Sequence, residues 1–257
     1  MPVTKNAFPI LEYDTHPQGV IMPNRAASFT LPQKCLLTFF SETLASFTAQ
    51  NPATVAGTFQ SEMGHFPVYV CNYRGVEFAL AQALVGSASI ATLTDYLIGH
   101  GVKQIIACGS CGVLCDIPAG DVLVPVCALR DEGASYHYLP PTRDIELDEG
   151  VVASITATLQ SLHTPYVLCK TWTTDAFYRE TPDMITYRKE EGCQVVEMEC
   201  ATMASVAKFR GAQFGQLLYS GDLLTDYSNY QERDWFINTT AREKLFYLSL
   251  ESLIQLP

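Results

Sequence analysis

Apolar runs of strand length recur along this chain, and segments with a helical spacing of apolar residues lie between them. Several of the runs are continuous rather than alternating, which is typical of strands that are buried on both faces of a sheet. We predict strands at 20–22, 68–73, 76–80, 105–108, 122–126, 166–169, 195–196 and 214–219. Arg74-Gly75 joins two of these runs and predicts a hairpin turn.

Helices are predicted where apolar residues stand three, four or seven positions apart. These residues are Ile90, Leu93 and Leu97 after a possible N-cap at Ser87; Val152, Ile155, Leu159 and Leu162; Met203, Val206 and Ala207; and Phe246, Leu250 and Leu253 after a possible capping box formed by Thr240 and Glu243.

Strands that alternate with helices predict an α/β fold with a mostly parallel central sheet covered by helices on both sides. Hairpin-like pairs in the middle of the chain add an antiparallel, partly barrel-like portion, so the predicted sheet is mixed. No internal repeat or long linker divides the sequence, which predicts a single three-layer domain over residues 1–257. Ligand sites in such folds lie beyond the carboxyl ends of the strands, so residues there are the candidates for chemistry.

The composition narrows the possible partners. The chain has 257 residues, of which 48% are hydrophobic and 17% charged, so it can bury a sizeable core. A formal net charge of −11 argues against nucleic acid or an anionic membrane as a partner. The sequence has no apolar stretch of membrane-spanning length and its N-terminus is unlike a signal peptide. Nine cysteines in apolar surroundings favour reduced thiols and a cytoplasmic location.

A glycine-rich segment, Gly109-Ser110-Cys111-Gly112, directly follows the predicted strand at 105–108. Glycines and a serine in this position let backbone N–H groups approach an anion or a sugar closely. A tight strand-to-loop turn is the alternative interpretation. The segment matches neither a P-loop nor a dinucleotide-binding fingerprint, so nucleotide cofactor binding by those devices is not supported.

Three carboxylates follow two other predicted strands. Glu197 and Glu199 are two residues apart at a strand end, so they project to the same side. Buried carboxylates need hydrogen-bond donors, and a vicinal sugar diol supplies two; a solvated strand end is the alternative. Asp222 follows the strand at 214–219 and could act as a general acid toward a leaving base, or form an Asx turn or helix cap.

Aromatic and sulfur-containing residues add two further candidates. Phe177 and Tyr178 offer flat faces for a planar ring, although such aromatics are also common in cores. Cys108, Cys111 and Cys115 lack a fourth ligand at metal-binding spacing, and the five histidines show no ligand spacing. We therefore expect no metal site.

Five segments, in this order, carry a resemblance to a known family. They are 102–106 leading into Gly109-Ser110-Cys111-Gly112, then Ile117-Pro118-Ala119-Gly120-Asp121-Val122, Asp131-Glu132-Gly133-Ala134-Ser135-Tyr136-His137, Asp175-Ala176-Phe177-Tyr178, and Val196-Glu197-Met198-Glu199. From about residue 68 to 225 the chain resembles the nucleoside phosphorylase-I family, which holds uridine phosphorylases, hexameric purine nucleoside phosphorylases and related nucleosidases. The resemblance implies a dimer or hexamer, no cofactor, and a nucleoside and inorganic phosphate as substrates.

The resemblance also implies roles for individual residues. Glu199 would hold the ribose 2′ and 3′ hydroxyls, Met198 would pack on the sugar, and Glu197 would lie between sugar and base. Phe177 and Tyr178 would line the base pocket, while Ser110 and the N–H groups near Gly109 would touch phosphate or ribose. Asp222 matches the acid that protonates N7 of a leaving purine, with an oxocarbenium-like transition state stabilised by the carboxylates and phosphate.

The chain departs from the family's pattern at the phosphate site. The phosphate-binding turn after the first strand is missing where 22–27 would supply it, and Ala107 replaces an arginine. Arg25 could substitute, as could Arg74, Arg130 or Arg179. The Arg179-Glu180 pair that follows Tyr178 does not match the Gln and Arg that read uracil, which together with Asp222 favours a purine nucleoside.

The leading hypothesis is therefore a purine nucleoside phosphorylase, a pentosyltransferase. A hydrolytic nucleosidase of the same fold would also explain the lost phosphate ligands, but the segment 22–29 lacks the water-activating glutamate expected after the first strand. The third hypothesis is a nucleoside-binding protein that does not catalyse a reaction.

Overall fold

The computed structural model describes residues 3–25, 29–225 and 228–257. In these ranges the strands are β1 (Lys34–Thr38), β2 (Ala53–Ser61), β3 (Gly64–Tyr73), β4 (Val76–Gln82), β5 (Gln104–Val113), β6 (Val122–Asp131), β7 (Asp144–Glu146), β8 (Tyr166–Thr174), β9 (Cys193–Glu197) and β10 (Gln213–Leu223). The helices are α1 (Ser41–Gln50), α2 (Ser87–Gly99), α3 (Glu149–Ser161), α4 (Pro182–Glu190), α5 (Cys200–Arg210) and α6 (Thr239–Gln255).

The strands form one mixed sheet that closes on itself at one end. β5, β9, β8, β6 and β10 pair in that order, and β10 returns to β5, which closes a five-stranded ring. β1, β4, β3 and β2 extend the sheet from β5, and β7 pairs with β6. The prediction of an α/β fold with a mixed, partly barrel-like sheet is confirmed.

Helices cover this sheet from two sides. Apolar side chains of α2 and α5 belong to one buried cluster, and those of α1, α3 and α6 belong to another. The helices predicted around Leu93, Leu159, Val206 and Leu250 are all present. The cap of α6 differs from the prediction, because Asn238 rather than Thr240 accepts the hydrogen bond from the Ala241 N–H, at 3.1 Å.

The first strand is not where the apolar pattern placed it. The predicted strand at 20–22 is wrong: Val20 and Ile21 are 104% and 77% exposed and pair with no strand. The first strand is β1, whose Leu36 and Leu37 are fully buried between β4 and β5. Residues 26–28 of the segment discussed above lie outside the described residues.

Three neighbouring features of the central strands shape the site. The glycine-rich segment 109–112 is not a turn but the second half of β5. A Cβ on Gly109 would lie 2.9 Å from the Phe39 ring, so glycine is needed there to let that ring approach the strand. Asp222 likewise lies inside β10, at a register irregularity between Ser220 and Leu223.

Candidate active site

A cavity of about 670 Å³ opens where the second halves of β5 and β10 meet the end of β9. This volume is within the range of small-molecule sites. Seven of the nine predicted site residues line it: Ser110, Phe177, Tyr178, Glu197, Met198, Glu199 and Asp222. Side chains that are far apart in the sequence thus meet in one cavity.

Glu197 is buried and fully hydrogen-bonded within the protein. Its Oε1 accepts from the hydroxyls of Thr171 and Thr173 at 3.1 and 2.6 Å. Its Oε2 accepts from the backbone N–H groups of Glu199 and Cys200, both at 2.6 Å. Burial raises the pKa of Glu197, and these four donors oppose that shift. The carboxylate therefore fixes the start of α5, and with it the position of Glu199.

Glu199 presents a buried carboxyl group to the cavity. One oxygen, Oε1, accepts a hydrogen bond from the Gly86 N–H at 2.6 Å. Gly86 has a φ of 91°, a conformation that favours glycine, and it directly precedes α2. Burial, and then the charge of Glu197, raise the pKa of Glu199 to about 8. A sugar hydroxyl that donates to the Glu199 carboxyl group would replace a hydrogen bond to water that this group loses on burial.

Asp222 and Glu180 place two more carboxyl groups in the same cavity. Burial raises the pKa of Asp222, and the Tyr230 hydroxyl donates a hydrogen bond to its side chain. Burial, and then the charge of Asp222, raise the pKa of Glu180 to about 8. Gly112 makes room for this arrangement, because a Cβ there would lie 3.4 Å from Asp222 Oδ1. With a pKa of about 8, Glu180 can hold a proton near neutral pH.

Aromatic rings surround the opening of the cavity. Phe177 and Tyr178 lie with ring centroids 3.9 Å apart and are 50% and 87% exposed in the single chain. Tyr230, Trp235 and Phe236 line the cavity from the segment that follows β10. Planar rings of this kind can hold a flat base by stacking.

Two predicted phosphate ligands are not in the cavity lining. Gly109 is buried in β5 beneath Phe39 and does not line the cavity, whereas its neighbour Ser110 does. The segment that carries Arg25 packs against the end of α2: a Cβ on Gly99 would lie 2.9 Å from Pro23 Cγ. Since α2 begins beside Glu199 and its 13 residues span about 20 Å, Arg25 lies at the opposite end of this helix from the site.

The other arginines considered as substitutes are also absent from the lining. The Arg130 side chain donates to Ser135 Oγ and to the carbonyl oxygen of Pro140, so it holds a loop together. Arg74 pairs with Glu251 at the hairpin between β3 and β4. Arg179 is exposed and does not line the cavity.

The sequence did not reveal the cation that the structure brings to the cavity. Arg242, at the start of α6, is the one cationic residue among the described residues of the lining. It is buried over the Phe40 ring at 4.9 Å, and its Nε lies 2.7 Å from Oε1 of Glu42. Glu42 follows β1, so the misplaced first strand concealed it. Gln216 of β10 was also missed, because it lies inside an apolar run.

Two further features concern the cysteines and the helices. All nine cysteines are free thiols, and the described residues contain no group of His, Cys, Asp and Glu that could hold a metal ion. Within the described ranges, the helices are all too short or too polar to cross a membrane.

Known proteins resemble this chain in sequence and in fold. A guanosine phosphorylase of Halorubrum lacusprofundi is 25% identical over 157 residues, which cover 59% of this chain and 64% of that protein. The chain therefore spans less than two thirds of the length of the first curated relatives that it matches.

Two solved structures share the architecture. An AMP nucleosidase from Bacteroides thetaiotaomicron is 27% identical, with 88% of each chain covered and a TM-score of 0.69. A uridine phosphorylase from Vibrio fischeri is 18% identical, with 91% of this chain and 95% of that chain covered and a TM-score of 0.74. At that identity the second likeness shows the fold alone.

A family model assigns the chain. It is described as the phosphorylase superfamily and matches residues 34–253, from the first residue of β1 to near the end of α6. The match spans the closed ring of strands and every acidic residue placed in the cavity above. The chain belongs to the phosphorylase superfamily.

Proposed function

We propose that the chain is a nucleoside phosphorylase that cleaves the N-glycosidic bond of a purine nucleoside with phosphate. The observation that carries this proposal is the presence in one cavity of Glu199, placed to hold a sugar diol, and Asp222, whose raised pKa favours the protonated acid. Two similar proteins, the guanosine phosphorylase and the AMP nucleosidase, are named for purine substrates, which supports a purine over a pyrimidine.

The proposed reaction is a single exchange at the sugar. A phosphate oxygen forms a bond to C1′ of the ribose while the bond from C1′ to N9 of the base breaks. The electron pair of that bond goes to the base, and the proton of Asp222 is delivered to N7. The products are the neutral base and ribose 1-phosphate. General-acid assistance of this kind contributes about 10²- to 10⁴-fold to the rate.

The other lining residues would bind and orient the nucleoside. Glu199 accepts the ribose 2′ and 3′ hydroxyls, and Met198 packs beside the sugar. Phe177 and Tyr178 flank the base at the opening. Glu197 acts indirectly, because its oxygens are used by the protein to position Glu199. Inorganic phosphate is a co-substrate in this scheme, and the reaction needs no cofactor.

We further propose that the protein acts in the cytoplasm as a homo-oligomer, a dimer or a hexamer, with no nucleic acid or membrane as partner. The net charge of −11 supports the exclusion of polyanionic partners. Exposed aromatic side chains line the cavity and form what we call the aromatic rim: Phe177, Tyr178, Tyr230 and Phe236. Such exposed apolar surfaces are typical of interfaces, so the aromatic rim supports assembly.

One observation favours hydrolysis as a second candidate function. Arg242 is paired with Glu42, so the cation in the lining is already neutralised, and Glu42 is a carboxylate that follows the first strand. In a hydrolytic reaction water would form the bond to C1′ as the bond from C1′ to the base breaks, and the products would be free ribose and the base. The similar AMP nucleosidase is consistent with this alternative.

Product analysis separates the two reactions. Inosine, guanosine, adenosine, uridine and AMP are each incubated with the protein, with and without phosphate, and the products are resolved by chromatography. Release of base and ribose 1-phosphate that requires phosphate supports phosphorolysis. Release of free ribose without phosphate supports hydrolysis. Binding of a nucleoside without release of base in either condition would contradict both and indicate a binding protein.

A further inference from the structure

Gln216 is a buried amide without a partner. It lies in the middle of β10, is 0% exposed and lines the cavity. Neither its Nε2 nor its Oε1 has a hydrogen-bond partner among the described residues. Leaving both a donor and an acceptor unpaired in the interior costs stability, so such a group indicates a ligand that completes it.

The neighbouring strand leaves space in front of this amide. Gln216 is in register with Ala107 on the parallel strand β5, so the two side chains lie on the same face. Two residues further along β5, Gly109 has no side chain and is covered by Phe39. Ala107 and Gly109 thus offer Gln216 no polar partner, and its amide is free to meet a molecule in the cavity.

The chemistry of the amide matches one of the two substrates. The sugar and base are provided with carboxyl groups, at Glu199 and Asp222, whose proposed partners are the sugar hydroxyls and the ring nitrogen N7. A carboxamide instead offers one donor and one acceptor side by side. Monohydrogen phosphate offers the complement, an anionic oxygen that accepts and a hydroxyl that donates.

Arg242 is the only cationic residue among the described residues that line the cavity. Arg242 covers Phe40, the residue next to the Phe39 that covers Gly109. Its charge is shared with Glu42. An anion in this part of the cavity therefore depends more on neutral donors than on an unpaired cation, which gives the amide of Gln216 a larger part in binding it.

We propose that Gln216 binds the attacking phosphate, with Nε2 donating to a phosphate oxygen and Oε1 accepting from the phosphate hydroxyl. This proposal rests on the phosphorolysis proposed above. Gln216 is then a substrate-binding residue that orients the phosphate toward C1′. Its unpaired amide lowers the stability of the ligand-free protein, and bound phosphate supplies the missing hydrogen bonds.

The test compares Gln216→Leu with Gln213→Leu, a matched control on the same strand. Gln213 hydrogen-bonds to Gln104 at the other end of β10 and does not line the cavity. For each protein the melting temperature without ligand, the KM for phosphate and the KM for the nucleoside are measured.

We expect Gln216→Leu to raise the KM for phosphate by about 10- to 100-fold, the effect of one hydrogen bond to a charged group, with the nucleoside KM changed by less than about twofold. The ligand-free melting temperature should rise by about 2 to 4 °C, because an unpaired amide is replaced by an apolar group of similar size. Gln216→Glu should weaken phosphate at least as much, by charge repulsion. The control should leave both KM values unchanged.

An unchanged phosphate KM in Gln216→Leu, or a lower melting temperature than that of Gln213→Leu, would overturn the proposal, since the amide would then serve the fold alone. Failure of the proposed function is seen separately, in the wild type, as base release that does not need phosphate. In that case equilibrium titration with inorganic phosphate decides: binding that is lost in Gln216→Leu supports the phosphate contact, and equal binding in both proteins rejects it.

Discussion

Four carboxyl groups in one cavity differ in what surrounds them, and their surroundings decide what each can do. Glu197 has four protein donors and acts as part of the frame. Among the described residues, Glu199 has only the backbone N–H groups of Gly86 and Met198 as donors and can accept more hydrogen bonds from a ligand. Asp222 and Glu180 are close enough for the charge of one to raise the pKa of the other. The surroundings therefore support different roles for the same residue type: Glu197 as frame and, in the proposed reaction, Glu199 as sugar ligand and Asp222 as proton donor.

Asp222→Asn tests the proton donor. An amide can hydrogen-bond to N7 of a purine but has no proton to transfer, so we expect kcat to fall by about 10²- to 10⁴-fold with little change in nucleoside KM. In the wild type, kcat/KM should decrease as the pH rises through the raised pKa of Asp222. The variant should lose this dependence on pH.

Asp116→Asn is a suitable control for that variant, because Asp116 is exposed and does not line the cavity. It should keep the rate and the pH profile of the wild type. A wild-type rate in Asp222→Asn would show that another group protonates the base.

Glu180→Gln tests the second acid through stability. The pKa of Glu180 is raised from 4.5 to about 8 in the folded chain, so the folded state binds this proton more tightly than the unfolded state does. The stability linked to this proton is fully present below about pH 4.5 and is lost as the pH rises through about 8. Glutamine stays neutral, so the variant should melt at least about 2 °C higher than the wild type at pH 9 and similarly to it at pH 5.

Melting curves of the two proteins from pH 5 to pH 9 check this expectation. Glu199 titrates in both proteins, and the comparison reports the coupled pair of Glu180 and Asp222. Parallel curves over the whole range would mean that Glu180 is charged in the folded chain at neutral pH.

At the scale of elements, the sequence predicts what is apolar and continuous and misses what is short or polar. The sequence predicts β5, β6 and β10 because they are buried on both faces, and β8 because its first residues are apolar, although Leu168 is exposed. In β2, at the edge of the sheet, only Phe59 is buried, so this strand has no continuous apolar run. The run at 20–22 is apolar but exposed, which hydropathy alone cannot distinguish from a buried strand.

The residues of the site also fall into those that the sequence could predict and those that it could not. Glu197, Glu199 and Asp222 could be found from the sequence because they follow apolar strands and match the motifs of a family. Gln216 and Arg242 could not, since only the closure of β10 onto β5 and the packing of α6 bring them to the cavity. Arg25 does not line this cavity, and its position likewise depends on which segment is the first strand.

Gly112→Ala tests the close packing between β5, β9 and β10. A Cβ at this position would lie 2.3 Å from Leu224 Cδ1 and 3.0 Å from Val196 Cγ1, so both walls must shift. Overpacking of this kind costs about 1–3 kcal/mol. We expect a lower melting temperature and, because Asp222 lies on the same side, a lower kcat.

Gly150→Ala provides the comparison for this substitution. Gly150 lies in the first turn of α3, where a Cβ would meet only Asp148 Oδ1, at 3.3 Å. Alanine is favoured over glycine in a helix by about 1 kcal/mol, so this variant should be as stable as the wild type or more stable, with normal kcat. Equal effects of the two substitutions would contradict a specific clash at Gly112.

At the scale of the whole molecule, large apolar side chains are exposed around the cavity of this acidic chain. Tyr178, Phe236 and Ile237 are 87%, 66% and 68% exposed, and they lie at or next to the opening of the cavity. Large exposed aromatic side chains that are close together are typical of an interface or a binding site. A base stacked on Phe177 could cover only part of this rim, and we propose that a second copy of the chain covers the rest.

We therefore expect the protein to be a dimer or a larger oligomer in solution, with the cavity opening near the interface. Light scattering coupled to gel filtration measures the mass directly. Ile237→Ser and Phe236→Ser together should lower the mass toward that of one chain and raise the nucleoside KM in parallel, because the rim would be both contact surface and wall of the site. Leu168→Ser, which removes an apolar side chain that is 49% exposed and outside the cavity lining, should leave mass and KM unchanged. A single-chain mass for the wild type would contradict the assembly and leave the aromatic rim to the nucleoside alone.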